Sequence, residues 1–377
     1  MNLTKRNKVE MSDMKNLTVI DLFCGAGGLS YGFQQAGFNI IAGLDNNKYA
    51  ELTYIKNFPK AKFYSEKIEN VKPGIVMADL GLKPEELDCL IGGPPCQGFS
   101  VKGNRYLNDP RNQLFKYFMD FVYALKPKVV LIENVPPIMT LGDEKFQDKF
   151  FHHFRRYGYK MHCNKLIAAE YGVPQIRKRA FFIALRNHKY PTLPSPTYAM
   201  TKKDNNSSLP ECPKVIDAIG DLPPLKMKQR MDHYVKDPIS EYQKLMRKDQ
   251  TKLYNHEAKL ENAINIERMQ KLCQGQSMRD LPKQLQAKSG FSQAYGRLSN
   301  KGLACTITAN MHNLGSGRYI HPTQDRAITA REAARLQSFD DKFIFYGSMH
   351  SQCRQIGNAV PPLLAQAIAL HIKNDLL

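Results

Sequence analysis

Five short apolar runs punctuate the first half of the chain: residues 17–23 (LTVIDLF), 38–44 (FNIIAGL), 87–93 (LDCLIGG), 128–134 (KVVLIEN) and 179–186 (RAFFIALR). Each is bounded by turn or polar residues and predicts a buried strand. Residues 27–37 (GGLSYGFQQAG) follow the first strand as a helix, and 112–127 have apolar residues at helical spacing. Strands alternating with helices predict βαβ units and a mainly parallel α/β sheet. Ligands of such sheets lie beyond the carboxyl ends of the strands. Asp45, the turn after Phe23, the Gly-Pro-Pro-Cys turn and Glu133 all map to that edge. The pattern breaks near residue 188, where a Pro-, Ser- and Asn-rich stretch begins. Periodicity stays weak to about residue 325. Helical patterning resumes at 329–339, and 360–377 reads as an apolar-striped helix. No internal repeat or long low-complexity tract is visible.

Charge adds a second division. The formal net charge is +19 over 377 residues. Residues 1–150 carry 19 Lys plus Arg against 17 Asp plus Glu, whereas 151–377 carry 35 against 18. The excess is either a solvated basic surface or a face for a polyanion, most often nucleic acid. No apolar run approaches the roughly 20 residues of a membrane span, and residues 1–16 lack a signal-peptide core. They read as a flexible leader, with Met11 or Met14 as alternative starts, so a cytoplasmic protein without membrane attachment is expected. The eight cysteines form no CxxC pair and no cluster with zinc spacing. They read as reduced thiols, and no metal is expected.

Two turns carry candidate chemistry. The first is DLFCGAGGLSYG, residues 21–32. The dinucleotide fingerprint needs glycine where Ser30 stands, which disfavours a nicotinamide oxidoreductase. Gly25, Gly27 and Gly28 let a backbone approach a ligand, or else serve a tight βα turn that packs on glycine. Asp45, 20 residues after Gly25, is placed to bond ribose hydroxyls, which fits an adenosine-containing ligand. The second turn is GGPPCQG, residues 92–98. Its prolines restrict the backbone before Cys96, and Gly98 permits a sharp turn after it. A buried structural thiol does not explain that frame; a nucleophile does. A zinc deaminase is excluded, because Phe99 stands where a second cysteine belongs and no H-x-E occurs.

These segments together resemble the DNA (cytosine-5) methyltransferase family of the bacterial restriction-modification type. DLFCGAGG, GGPPCQGFS, ENV (133–135), QIRKR (175–179), TAREAARLQSF (329–339) and QIGNAVP (355–361) occur in the family's order and frame nearly all of residues 17–375. The resemblance implies a Rossmann-like S-adenosylmethionine-dependent methyltransferase sheet with a second, smaller target-recognition domain. The catalytic domain would comprise 17–187 plus 326–377, and the recognition domain 188–325.

It also implies the chemistry. S-adenosyl-L-methionine is the methyl donor, and the target cytosine is flipped out of the duplex. Cys96 attacks C6, which turns C5 into an enamine carbon able to take the methyl group. Glu133 is the acid at N3, Arg179 contacts O2, and Arg177 supports the site or a phosphate. Phe23, Gly25, Gly27, Gly28, Asp45, Asn46, Asp79, Leu114 and Asn358 are the expected donor residues, with Asp79 on the adenine amino group. Asn46 departs from the family, where an aromatic residue often packs on the adenine; this chain has no tryptophan.

On the DNA side, 97–112 looks like the loop that closes over the flipped base, with Ser100, Lys102 and Arg111 filling the gap or gripping phosphate. Thr306-Ile307 matches the recognition domain's Thr-plus-aliphatic pair. Arg297 and Arg318 are candidates for guanine edges, or ordinary phosphate or surface arginines. Double-stranded DNA, a monomeric enzyme in the bacterial cytoplasm and nucleoid, and a cognate restriction endonuclease acting on the same site without a stable complex complete the expectation. A tRNA cytosine methyltransferase is the first rival, but its Cys-Phe-Thr signature is absent. A non-catalytic DNA-binding protein is the second, and intact Cys96, Glu133 and Arg179 argue against it.

Overall fold

The computed structural model describes residues 16–95, 113–139, 145–186, 189–201, 208–287 and 292–377. Seven strands form one sheet: β1 (Thr18–Leu22), β2 (Asn39–Asp45), β3 (Lys62–Ser65), β4 (Cys89–Gly92), β5 (Val129–Asn134), β6 (Lys160–Ile167) and β7 (Lys178–Leu185). Their order is β3-β2-β1-β4-β5-β7-β6. The first five are parallel, and β7 runs antiparallel to both β5 and β6. All five runs identified in the sequence are strands. Edge strands β3 and β6 escape the sequence pattern because their residues are mostly half-buried or exposed.

Alternation along the central strands feeds two apolar layers. Val19, Cys89, Ile91, Val129, Leu131 and Phe181 face one side. Ile20, Leu22, Leu90, Val130, Ile132 and Phe182 face the other. The second layer is closed by α4 (Gln113–Leu125), through Phe118, Phe121, Val122 and Leu125. The first layer is closed by α1 (Gly28–Gln35) and α11 (Pro362–His371). These two helices approach closely, because a Cβ on Gly32 would lie 2.4 Å from Ala365 Cβ and 2.6 Å from the Pro362 carbonyl oxygen. Between them in the chain come α2 (Lys48–Asn57), α3 (Pro73–Leu80) and α5 (Lys145–Arg156). The Asn47 side chain caps α2 by accepting from the Tyr49 and Ala50 amides.

Residues 208–287 hold three short helices: α6 (Val215–Ile219), α7 (Glu241–Arg247) and α8 (Ala263–Lys271). Their apolar residues join the core layer that contains α1 and α11. A fully buried ionic cluster fastens α6 to α9 (Ala330–Leu336): Arg335 pairs with Asp221 and with Asp341, the latter at 2.6 Å. The α9 start is fixed by a capping box between Thr329 and Glu332.

A second junction lies at the mouth of β7. Arg177 is fully buried and donates to the Ile307 carbonyl at 2.8 Å and the Gly357 carbonyl at 2.9 Å. Gly357 belongs to α10 (Met349–Asn358), which lies directly on the Thr308-Ala309 backbone. A Cβ at Gly357 would sit 2.2–2.3 Å from those backbone atoms. Gly357→Ala must therefore part α10 from residues 308–309. A loss of about 1–3 kcal/mol or more is expected, read as a lower denaturant midpoint with an unchanged slope.

Candidate active site

Strand register builds the site. Leu22 pairs with Leu44 and Gly92, and Gly92 pairs with Ile132. Four parallel strands therefore end level, and the next residues along them, Phe23, Asp45, Gly93 and Glu133, share one edge. The strand order reverses between β1 and β4, the place where such sheets bind ligands. A cavity of about 570 Å³ opens there. Its lining includes Asp21, Phe23, Cys24, Gly25, Asp45, Asn46, Pro94, Pro95, Glu133, Arg179, Arg354 and Asn358.

At one end the turn after β1 makes a polar cradle. Phe23 takes φ +60 and Gly25 φ +53, and a Cβ at Gly25 would meet nothing within 4 Å. Left-handed backbone at a non-glycine residue is strained, and strain of this kind collects at ligand sites. Asp45 accepts from the Gly25 amide and the Asn47 amide, each at 2.9 Å. Burial pushes the Asp45 carboxyl up, while those amides and nearby Arg354 pull it down. Asp21 lies deeper, accepting from Ser30 Oγ at 2.6 Å, and Ser30 Oγ lies 2.9 Å from Tyr54 Oη. Burial raises Asp21 to about 7, against the Ser30 hydrogen bonds.

At the other end Glu133 and Arg179 form an ion pair, Oε1 to Nε, of 2.8 Å with both side chains largely buried. Asn134 donates from Nδ2 to the Pro94 carbonyl at 2.9 Å, which ties the Gly-Pro-Pro turn to β5. Cys24 is the one cysteine among the described residues that lines the cavity. Burial, reinforced by Asp21 and Asp45, pushes its thiol well up and keeps it protonated.

The structure thus brings together Phe23, Gly25, Gly28, Asp45, Asn46, Glu133, Arg179 and Asn358. Other expected residues take different places. Gly27 lies off the cavity and is a packing glycine, where a Cβ would meet the Phe58 ring at 2.4 Å; Gly28 lines the cavity but is also packed, since a Cβ there would meet the Val360 carbonyl at 2.4 Å. Asp79 does not reach the cavity; on α3 it is held by Lys62 and by Tyr64 Oη, the latter at 2.6 Å. Leu114 is half-buried and packs into the layer under α4 rather than lining the cavity. Arg177 has no surface to offer a phosphate.

Arg297 is a buried structural arginine rather than a base reader. It donates to the carbonyls of Leu272, His321, Gln324 and Met269 and pairs with Asp325. Arg318 is half-buried, donates to Gln293 Oε1 at 2.9 Å and to the Gly275 carbonyl, and faces the Cys305 thiol. Thr306 spends its hydroxyl on the Ile176 carbonyl at 2.8 Å. Cys96, Ser100, Lys102 and Arg111 lie outside the described residues.

A family model, C-5 cytosine-specific DNA methylase, matches residues 17–374. The chain belongs to this family. Its relatives include the type II methyltransferase M.DdeI of Desulfomicrobium norvegicum, 38% identical over 94% of this chain and 88% of that protein. The type II methyltransferase M.AgeI of Thalassovita gelatinovora is 34% identical over 95% of this chain and 99% of that one. A crystal structure assigned as a DNA modification methyltransferase encoded within an E. coli prophage superposes with a TM-score of 0.73 at 29% identity, covering 95% and 99% of the two chains. The DNA cytosine-5 methyltransferase activity follows from the family, on a Rossmann-like sheet of the kind these relatives share.

Sequence reasoning overlooked Arg354 and Asp21 as cavity residues. Asp21 was visible as the acid four residues before Gly25. Arg354 directly precedes the QIGNAVP stretch, and only its place on α10 reveals it.

Asp21 also carries a pH signature. An unfolded chain ionises it near 3.8 and the folded chain near 7. Its contribution to stability is therefore fully present below about 4 and is lost as pH rises toward 7. Asp21→Asn keeps an acceptor for Ser30 and lacks that loss. Melting temperatures measured from pH 5 to pH 8 should show the variant gaining on the wild type as pH rises; a constant difference would rule out the assignment.

Proposed function

We propose that this cavity holds S-adenosylmethionine beside a flipped cytosine, and that Cys96 is the nucleophile of a sequence-specific DNA cytosine-5 methyltransferase. The observation that carries the reading is one cavity with an acidic, amide-rich cradle at one end and the Glu133–Arg179 pair at the other. The donor fits that chemistry. Asp45 offers a carboxylate to the ribose diol, Gly25 leaves open backbone, and Asp21 and Asp45 suit a cationic ligand. Phe23, Asn46 and Asn358 complete its surroundings. Bound there, the donor supplies one electrophilic methyl group for C5.

The chain's own residues do the rest. Residue 96 follows Pro95, which lines the cavity. Its thiolate forms a bond to C6, and the ring electrons move toward C5. Glu133 holds a proton at N3, where negative charge collects, and Arg179 orients Glu133 while presenting its guanidinium to O2. After methylation the C5 proton leaves, the C5–C6 double bond re-forms, and the Cys96 thiolate is expelled. Cys24, the other cavity thiol, is kept neutral and cannot substitute for it.

The recognition role goes to residues 188–325, where 21 Lys plus Arg against 13 Asp plus Glu leave a positive excess for DNA phosphates. Ser100, Lys102 and Arg111 remain candidates for holding the opened duplex, and Arg318 and Thr306 for the edge of the site. The names of the relatives favour a type II restriction-modification role, in which this enzyme protects DNA from an endonuclease of the same specificity.

Bisulfite sequencing of DNA from cells expressing the chain should show protected cytosines in one short motif. Cys96→Ala should abolish that protection, and retention would overturn the mechanism. Glu133→Gln keeps the size of the side chain and removes its acid. The turnover rate should fall about 10²- to 10⁴-fold, and the melting temperature should fall as well, because the largely buried Arg179 loses its ion-pair partner.

A further inference from the structure

The loop after Thr308 runs along α10. Its backbone at Thr308-Ala309 lies on Gly357, and its His312 ring meets the His350 ring edge-on, with centroids 4.2 Å apart. The seam between them follows the helix from Gly357 back to His350, about 10 Å. Beside it α10 presents one exposed stripe, His350, Arg354 and Asn358, spaced at four-residue intervals. Arg354 and Asn358 line the cavity. The Arg354 guanidinium has no hydrogen-bond or ion-pair partner among the described residues. Residues 281–324 and 342–374, which supply the two sides of the seam, contain no Asp or Glu. Lys259 flanks the seam, donating to the His312 carbonyl at 3.1 Å, and buried Glu261 pairs with it at 3.1 Å. An exposed ridge without acids at the mouth of a cavity suits an anionic partner.

We propose that the α10 stripe, with His312 beside it, is a phosphate track for the DNA strand whose base enters the cavity. The inference rests on the DNA reading given above and adds the surface that carries the backbone. Phosphate contacts set register and orientation without reading sequence. A base inside the cavity leaves its own phosphates at the mouth, where Arg354 stands. A guanidinium takes two phosphate oxygens at once, and the Asn358 amide adds an N–H donor. The histidine pair continues the line away from the cavity. Burial, His350 and Lys259 hold the His312 imidazole below its ordinary value. The remaining titratable groups at the seam are Glu261, behind Lys259, and the buried Cys353 thiol, which also faces Lys259. A nearby phosphate favours the charged imidazole, so DNA binding takes up protons at the pair.

The test is DNA binding by the full chain without donor, on a duplex carrying the motif that bisulfite sequencing reveals. Arg354→Gln should weaken binding about tenfold and lower the slope of log affinity against log salt by about 1. Arg354→Lys keeps the charge and should keep the slope, which a folding defect would not allow. An uncharged methylphosphonate at one of the two phosphates flanking the target cytosine should weaken the wild type, yet cost Arg354→Gln little more. Affinity should rise more steeply from pH 8 to pH 6 for the wild type than for a His312→Gln, His350→Gln double variant. Unchanged affinity and slope in Arg354→Gln, additive losses at both flanking phosphates, or equal pH dependence in the double variant would each overturn the inference while leaving the DNA reading intact. A defect seen only in binding of S-adenosylhomocysteine would overturn it too, and would assign Arg354 to the donor. A wild-type chain that protects no motif and binds no duplex would overturn the DNA reading itself.

Discussion

The buried guanidinium of Arg177 is the constraint on which the arrangement depends. It stands one residue before β7 and donates to carbonyls of two segments 50 residues apart, Ile307 and Gly357. Among the described residues no other side chain donates to those carbonyls, and a buried carbonyl without a donor costs about 1–3 kcal/mol. Burial and the nearby Arg179 oppose its charge while Glu133 supports it, so the Glu133–Arg179 pair acts on this junction in both directions. Structure and chemistry are coupled here through electrostatics. Removing Glu133 or Arg179 alters the environment of the arginine that holds Ile307 and Gly357 at the start of β7.

The cavity itself is divided by charge. At the β1–β2 end two carboxylates are held among backbone amides and a hydroxyl, and at the β5–β7 end an acid is paired with a guanidinium. In the proposed function, a cationic donor and a pyrimidine with a carbonyl and a ring nitrogen would take these opposite settings. The parallel register that levels β1, β2, β4 and β5 places both within one cavity without a long loop to bridge them. Antiparallel β7 then enters from the other direction, which brings Arg179 at its start to Glu133 at the end of β5.

Much of this was legible in the chain. Asp45, Phe23, Glu133 and Gly25 stand at the ends of apolar runs, and a strand end is a local feature. Arg179 opens such a run. The residues that misled are those whose side chains are oriented by distant partners. Asp79 reads as an acid near the donor, yet Lys62 and Tyr64 on the neighbouring strand hold it away. Arg297 reads as a base reader, yet four carbonyls and Asp325 consume it. Edge strands β3 and β6 carry too little burial to print an apolar period, and α2 and α3 have largely solvated faces. Gly27 and Gly28 show that a glycine motif records packing as well as ligand approach: the aromatic rings of α2 and the carbonyl of Val360 need those positions bare.

The packing of α11 on α1 has a consequence for synthesis. Gln366 reaches the Gln35 carbonyl across 331 positions of sequence, and Val360 seals the turn that starts at Gly28. A nascent chain can pair β1 with β2 early, but the donor cradle lacks its second wall until residues 355–365 have left the ribosome. Long-range closure of this kind is slow relative to local folding. An unfinished chain therefore carries all seven strands without a closed cavity, and the wall that residues 354–360 supply is added only after the sheet is complete.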